Sequence, residues 1–499
     1  MSGIKKMNLK LLIAGLAVLA LSLSGCSQTA GTSGSEQTSL KPQMELLSEK
    51  SMGSVAEDKI PDVTAERWSF EAQYNRPIVT PDGRHVLVVG EDKMSWIETS
   101  TGKELWSKAT YGGIDSYFLD DDRIYMNEKY ANKKEKERGY IICLDSGNGN
   151  ELWKYDVQSD LAPLVAGNKP AGVVPDICCS IKTALDEGKI YLVGGTSWTD
   201  NNNKDKAEVL MCLDRDGKQL WKKEFHGLPG LISMSNLRII DKKLVMGNYS
   251  YGDDITGPAS VQAFDIKSGE LAWKFEIPND PDLASAGNTN VTVEVVGDKV
   301  VAAAHFGKIF ILNGKGEKIK EFTAFQPEQN QNYSLYTSVY GGSLAAGKDE
   351  IIIAPGSTVV KGASDVKVDI EHSASNSIMV FNLDGEMKWK FRLGGYVSSI
   401  LVKGKYLLLG TMHNENTLDY SYCGVYAFDL TQGAVSSELN AVEESVLDKY
   451  IGFYKTDGAV LYNSLGAADD GKVICVTTWP TRTGVDKHGQ NSLYILKIN

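Results

Sequence analysis

The sequence predicts an all-β fold: an eight-bladed β-propeller of four-stranded antiparallel blades, with an N-terminal strand closing the last blade. Three observations lead there. A hairpin unit ending in Trp recurs along the chain, with five good copies and two worn ones. A second, apolar strand segment recurs eight times. The composition, with 49 Gly against 14 Pro and with 9 Trp and 22 Tyr, is that of many tight turns between strands. Hydrophobic residues at 42% and charged residues at 23% exclude a mostly disordered chain and a polytopic membrane protein. Length alone, 499 residues, suggests about three domains; the repeat overrides that and argues for one ring.

The hairpin unit is an apolar strand, an Asp or Asn, a Gly three or four residues later, and a Trp shortly after the Gly. It occurs as SWIETSTGKELW (Trp106), ICLDSGNGNELW (Trp153), MCLDRDGKQLW (Trp221), QAFDIKSGELAW (Trp273) and VFNLDGEMKW (Trp389). The two worn copies are FILNGKGEKIK, with Lys320 in the Trp slot, and YAFDLTQGAVSS, with Ser437 there. The carboxylate or amide can hold the turn's backbone N–H groups. The Gly supplies the left-handed conformation of a short hairpin. The Trp offers a large flat surface to a neighbouring repeat. Copies spaced 47 to 69 residues apart are a propeller's period.

Ahead of each hairpin lies a second strand, from RHVLVVG (84–90) through GKIYLVGG (188–195) to GKVICVTTW (471–479), preceded by an inner Gly/Ser/aromatic run. The third strands also number eight, the last being SLYILKI, after which no fourth strand follows. Arg67-Trp68-Ser69-Phe70 reads as the missing fourth strand, with Trp68 in the Trp slot. The expected ring therefore spans 66–499, and a seven-bladed ring plus an extra sheet is the competing architecture. The unit resembles the pyrroloquinoline-quinone (PQQ)-like propeller repeat. That superfamily includes quinoprotein alcohol dehydrogenases and the propeller lipoprotein of the outer-membrane β-barrel assembly machinery. The resemblance implies the fold and leaves the function open.

Residues 1–25 carry Lys5, Lys6 and Lys10, then an apolar run from Leu11 to Leu23 that is short for a membrane span. Leu23-Ser24-Gly25-Cys26 resembles a bacterial lipobox, which implies lipidation at Cys26. Residues 26–65 are then expected to be a flexible tether, and the protein to be extracytoplasmic and lipid-anchored, on the outer membrane if the organism has one. Removing residues 1–25 takes away three lysines and no acid, which moves the net charge from −12 to −15. A chain this acidic is a poor partner for nucleic acid. A monomer is expected.

Four cysteines, Cys143, Cys212, Cys423 and Cys475, sit in apolar strand-like runs and read as buried thiols, with no spacing for a metal. With the four strands of a blade lettered A to D from inside out, the A–B and C–D turns are mostly short. Long insertions fall between second and third strands (128–139, 197–207, 250–260, 357–377, 413–422, 480–491) or between blades (156–176, 438–459). One face is thus trimmed and the other elaborated, and elaborated loops on a rigid scaffold are where binding is expected. Trp198, Tyr251, Tyr420, Tyr422 and Trp479 lie on that face, candidates for gripping a protein or carbohydrate, or for packing loops together. Cys178-Cys179 is a candidate vicinal disulfide, and resembles the pair that quinoprotein alcohol dehydrogenases set against PQQ. The main expectation is a non-catalytic scaffold with no catalytic residue, cofactor or metal; the alternative is a PQQ- and Ca²⁺-dependent alcohol or sugar dehydrogenase. The six His are scattered, and no nucleophile elbow or P-loop is present.

Overall fold

The structure is a computed structural model. It describes residues 43–499, apart from 63–75, 131–137, 167–181, 227–236, 252–258, 279–287, 362–370 and 433–450 and shorter stretches at 58–59, 90–92, 110–112, 121, 200–203, 248, 305–306, 330–333, 338, 340–342, 357 and 415–418. Eight antiparallel blades follow in chain order. Blade 1 consists of Arg76–Val79, His85–Val89, Lys93–Glu98 and Glu104–Ala109. Blades 2 to 7 span 113–156, 182–226, 238–276, 288–323, 344–392 and 397–455. Blade 8 combines Leu465–Ala467, Val473–Thr477 and Ser492–Ile498 with β1, Met44–Ser51.

Each pair of neighbouring blades encloses its own apolar core, so eight cores close the ring. Between blades 1 and 2, for example, Leu87 and Trp96 meet Ile124 and Leu144. The ring closes where Val86 and Val88 of blade 1 meet Cys475 and Ile495 of blade 8.

The repeat Trp explains how blades register on one another. The Asp145 Oδ1 accepts from the backbone N of Gly147 (2.8 Å) and Asn148 (3.2 Å), which shapes the hairpin of blade 2. Gly149 then takes φ +73°, and a Cβ there would lie 2.8 Å from the Trp106 ring of blade 1. The Trp106 Nε1 donates to the Ser146 carbonyl in the same hairpin at 2.9 Å. Trp153, Trp221 and Trp273 repeat the contact on the hairpins that follow, at 2.9 to 3.0 Å. In most hairpins the Trp sits beside a one-residue register slip, as between Cys143 and Leu144. In blade 5, Lys320 occupies the slot, but Phe322, two residues on and on the same side of the strand, packs on Gly385 instead.

Two expectations are corrected. First, the strand that closes blade 8 is β1 and not Arg67–Phe70, which lies outside the described residues together with Trp68. The ring therefore begins within the 26–65 segment expected to be tether. β1 pairs with the last strand from Met44↔Ile498 to Ser51↔Ser492, and Ser48, opposite Ile495 beside the register slip, takes the Trp slot against Gly102. An outer strand needs only one half-buried face, so MELLSEKS carries neither the Trp nor the Gly that marked the other copies. Second, the outer strand of blade 7 is Ile451–Lys455, which pairs with Gly424–Phe428. The Asp429 turn is followed by a 3₁₀ turn at Leu430–Gln432, not by a tight hairpin. Ser437 lies outside the described residues; at the Trp-slot position of this blade Gly452 faces Ala427. In sequence the C–D connection of blade 7, from Asp429 to Ile451, is therefore long.

One apolar side chain per blade stands exposed near the start of the outer strand. These are Leu105, Leu152 and Leu220 in blades 1 to 3, and Leu271 and Ile319 in blades 4 and 5. Met387, Phe453 and Leu46 continue the series through blades 6 to 8, and the eight are 38 to 52% exposed.

Candidate partner-docking face

In an antiparallel blade the A–B and C–D turns meet on one face, here the turn face. The B–C and D–A connections meet on the other, the loop face. Every regular element added to the blades, among the described residues, apart from the 3₁₀ turn of blade 7, belongs to the loop face. Between blades 2 and 3 lies α1, Val157–Ala166. Its Val157 and Leu161 are buried against Ile141 and Val209. Its Asp160 accepts from the Tyr155 hydroxyl (2.7 Å) and the Lys222 Nζ (2.9 Å), which ties it to both outer strands. Burial, reinforced by Asp160, pushes the Tyr155 phenol up.

The B–C insertion of blade 4 contributes an extra strand, Tyr249–Tyr251, that pairs with Asn288–Asn290 of blade 5's inner strand. Beside blade 6, Glu328–Gln329, Ser334–Tyr336 and Val359–Lys361 form a small separate sheet. Buried His372 holds its base. The Nδ1 accepts from Ala374 N at 3.0 Å, so the Nε2–H donates to the Gln326 carbonyl at 2.8 Å.

Blade 8 projects a hairpin, Thr481–Thr483 with Asp486–His488, whose tip residue Val485 is 97% exposed. The N-terminal segment runs from β1 to this hairpin. Ile60 is buried, and the Arg482 N donates to the Pro61 carbonyl at 2.9 Å.

The hairpin docks on blade 7 through a three-ring stack. Tyr420 lies between His413 (ring centroids 4.9 Å apart) and His488 (4.3 Å). Its hydroxyl accepts from Thr481 Oγ1 at 3.0 Å. The Tyr420–Tyr422 turn is capped by Asp419, which accepts from Ser421 N at 2.8 Å. His413 is fully buried, with no hydrogen-bond partner at Nδ1. Burial first, and His488 second, hold its pKa down to about 4, so the ring is neutral near pH 7. Below the stack, Tyr396, Met412, Leu461 and Trp479 form an apolar core of their own. Tyr396 and Tyr462 share a 2.6 Å hydroxyl contact.

The five candidate aromatics thus divide. Tyr420 and Trp479 come together and pack loops against each other; both faces of the Tyr420 ring are taken. Tyr422 covers Gly394, where a Cβ would collide with its ring. Trp198 is the penultimate residue of the second strand of blade 3, opposite Asp205, and Tyr251 pairs with Asn288. These two stand on other blades. Cys178 and Cys179 lie outside the described residues. Cys143, Cys212, Cys423 and Cys475 are buried free thiols, and burial pushes the Cys423 thiol up to about 12. Sequence reading missed His413, His488, Tyr396 and Tyr462, because they meet only through the pairing of blades 7 and 8.

A family model described as outer membrane protein assembly factor BamB matches residues 61–173 and 137–438. The chain belongs to this PQQ-like propeller family. A quinohemoprotein alcohol dehydrogenase of Pseudomonas putida, ADH-IIG, is 28% identical over 208 residues, which are 41% of this chain and 25% of that protein. The match therefore spans only a quarter of the relative's length. The solved structure of ADHIIG from Pseudomonas putida HK5 superposes with a TM-score of 0.53 at 11% identity, over 93% of this chain and 77% of that one. BamB from Moraxella catarrhalis gives 0.49 at 11%, over 91% and 100%. The likeness to the ADHIIG structure shows the propeller fold.

The resemblance to quinoprotein alcohol dehydrogenases implies PQQ with calcium. Among the described residues, no group of three or more His, Cys, Asp or Glu is placed to hold a metal ion. Glu294, on the inner strand of blade 5, is already bonded through both oxygens to Arg238 of blade 4, at 2.5 and 2.6 Å. Trp106, Trp153, Trp221 and Trp273 are committed to hairpins. Among the described residues, these side chains are thus taken up by contacts between blades.

Proposed function

We propose that the chain is a non-catalytic binding platform of the cell envelope, lipid-anchored through Cys26, that docks a protein or carbohydrate partner on its loop face. One observation carries the reading: helix, accessory sheet, extra strand and projecting hairpin all stand on that face, on a ring of eight stiff cores. A rigid scaffold with built loops on one side is suited to recognition. The family's description as an assembly factor fits this role, with a polypeptide as the favoured partner. The platform acts as a monomer and does not engage nucleic acid. A photo-crosslinking residue at Val485 is expected to capture a partner in the native host, and the same residue at Lys315 of the turn face is not. Equal capture from both positions would remove the loop-face assignment.

The likeness to ADH-IIG supports a second reading, a quinoprotein alcohol dehydrogenase. Titration of purified protein with PQQ and Ca²⁺ separates the two. Saturable binding together with dye-linked alcohol oxidation would replace the platform with the enzyme.

A further inference from the structure

We propose that the outer rim of the turn face rests on a lipid bilayer, so that the loop face projects away from the membrane. This deepens the anchored-platform reading above and rests on it. The first support is the ring of exposed apolar side chains. All eight outer strands carry one within their first three residues, at the end where the C–D connection enters in blades 1 to 7. Among the large apolar residues described as exposed, only Val485 lies elsewhere. Apolar residues scattered singly need no explanation, but these are not scattered. They recur near the turn-face end of each outer strand: Leu105, Leu152, Leu220 and Ile319 are the extra residue of the register slip, Leu46, Leu271 and Met387 lie one residue before it, and Phe453, in blade 7 without a slip, packs on Tyr426. Apolar side chains near one end of all eight outer strands match a flat surface better than a single globular partner.

The second support is where the chain enters. β1 starts at Met44, paired with Ile498 at the turn-face end of blade 8, and leaves for the loop face at Ser51, paired with Ser492. The apolar run Leu11–Leu23 and Cys26 thus connect to the ring at the same rim. Between Cys26 and Met44 are 17 residues of Ser/Thr/Gly-rich composition, and a linker of that type has an r.m.s. reach of about 21–25 Å. Turning the ring over would force it back along all of β1, about 26 Å for eight residues.

The test replaces the native anchor. A chain starting at Leu40, which contains every strand of the ring, carries an N-terminal histidine tag. It is held on phosphatidylcholine–phosphatidylethanolamine vesicles containing a nickel-chelating lipid and a nitroxide-labelled quencher lipid. Dansylalanine at Lys315 reports the turn face and at Val485 the loop face. Quenching at 315 is expected to exceed that at 485 at least threefold. Leu105→Gln, Leu152→Gln, Leu220→Gln and Ile319→Gln together should reduce the ratio to near one, with the melting temperature as control. Equal quenching at the two positions, stronger quenching at 485, or a quadruple variant that keeps the full ratio would each overturn the proposal. So would self-association in light scattering without quenching. If the quadruple variant fails to fold, the wild-type comparison alone decides. Fatty-acid labelling of Cys26 in the host tests the native anchor separately, because the tag bypasses it.

Discussion

The Trp153 indole donates its Nε1–H to the backbone carbonyl of Arg215 in the next blade, at 2.9 Å, while its ring fills the space above Gly217. One side chain thereby fixes both the distance and the height of two blades. Trp153→Ala is expected to cost about 3 kcal/mol in chemical denaturation. Trp153→Phe keeps the ring and loses the hydrogen bond, at roughly 1 kcal/mol. A Phe variant as unstable as the Ala variant would show that the hydrogen bond dominates.

Glycines separate strain from crowding. Gly149 combines φ +73° with the Trp106 ring, whereas Gly297 has φ +59° with open space where a Cβ would sit. Gly297→Ala should cost about 1 kcal/mol, from backbone conformation alone. Gly149→Ala should cost more than twice that, because the indole must also move. Similar melts for the two would remove the crowding argument.

Loss of β1 should open the ring. A chain starting at residue 53 lacks the partner of Ser492–Ile498, and the core between blades 8 and 1 loses Leu47 and Met52. Its melting temperature should fall sharply, with new protease cuts in blade 8. Shortening the connection within 63–72 leaves all the described pairing in place and should lower the melt less. A reversed order would restore Arg67–Phe70 as the closing strand.

His413 makes stability depend on pH. Its folded pKa, about 4, lies below the ordinary value of 6.5, so the unfolded chain binds the proton more tightly. Stability from this group is complete above about pH 6.5. It declines as pH falls from there to about 4, by on the order of 3 kcal/mol. His413→Phe should flatten that part of the stability–pH curve. A curve unchanged by the substitution would assign the titration elsewhere.

Most of the fold was legible because the repeat writes its own register: Asp or Asn, Gly and Trp mark each hairpin, and the structure uses all three. Legibility failed where an element had no such mark. β1 contributes Ser48 where other blades contribute Trp, and blade 7 continues from DLTQG into a long connection where a hairpin was expected. The face bearing the inserted elements was readable from insertion lengths, except for 430–450. The His413–Tyr420–His488 stack was not, since its members come from two blades and no local spacing announces a contact between them.

The position of β1 also sets an order in time. The strand that completes blade 8 is the first to be synthesised, and its partner, Ser492–Ile498, is the last. Until the final residues are available, the nascent ring has no closing pair. Its first strand must wait, through seven blades, with its hydrogen-bonding edge unsatisfied. The longest loop in the molecule is then closed at the final step, where chain entropy opposes it most. Truncation anywhere before Ser492–Ile498 is complete should therefore yield an open ring and not merely a shorter propeller.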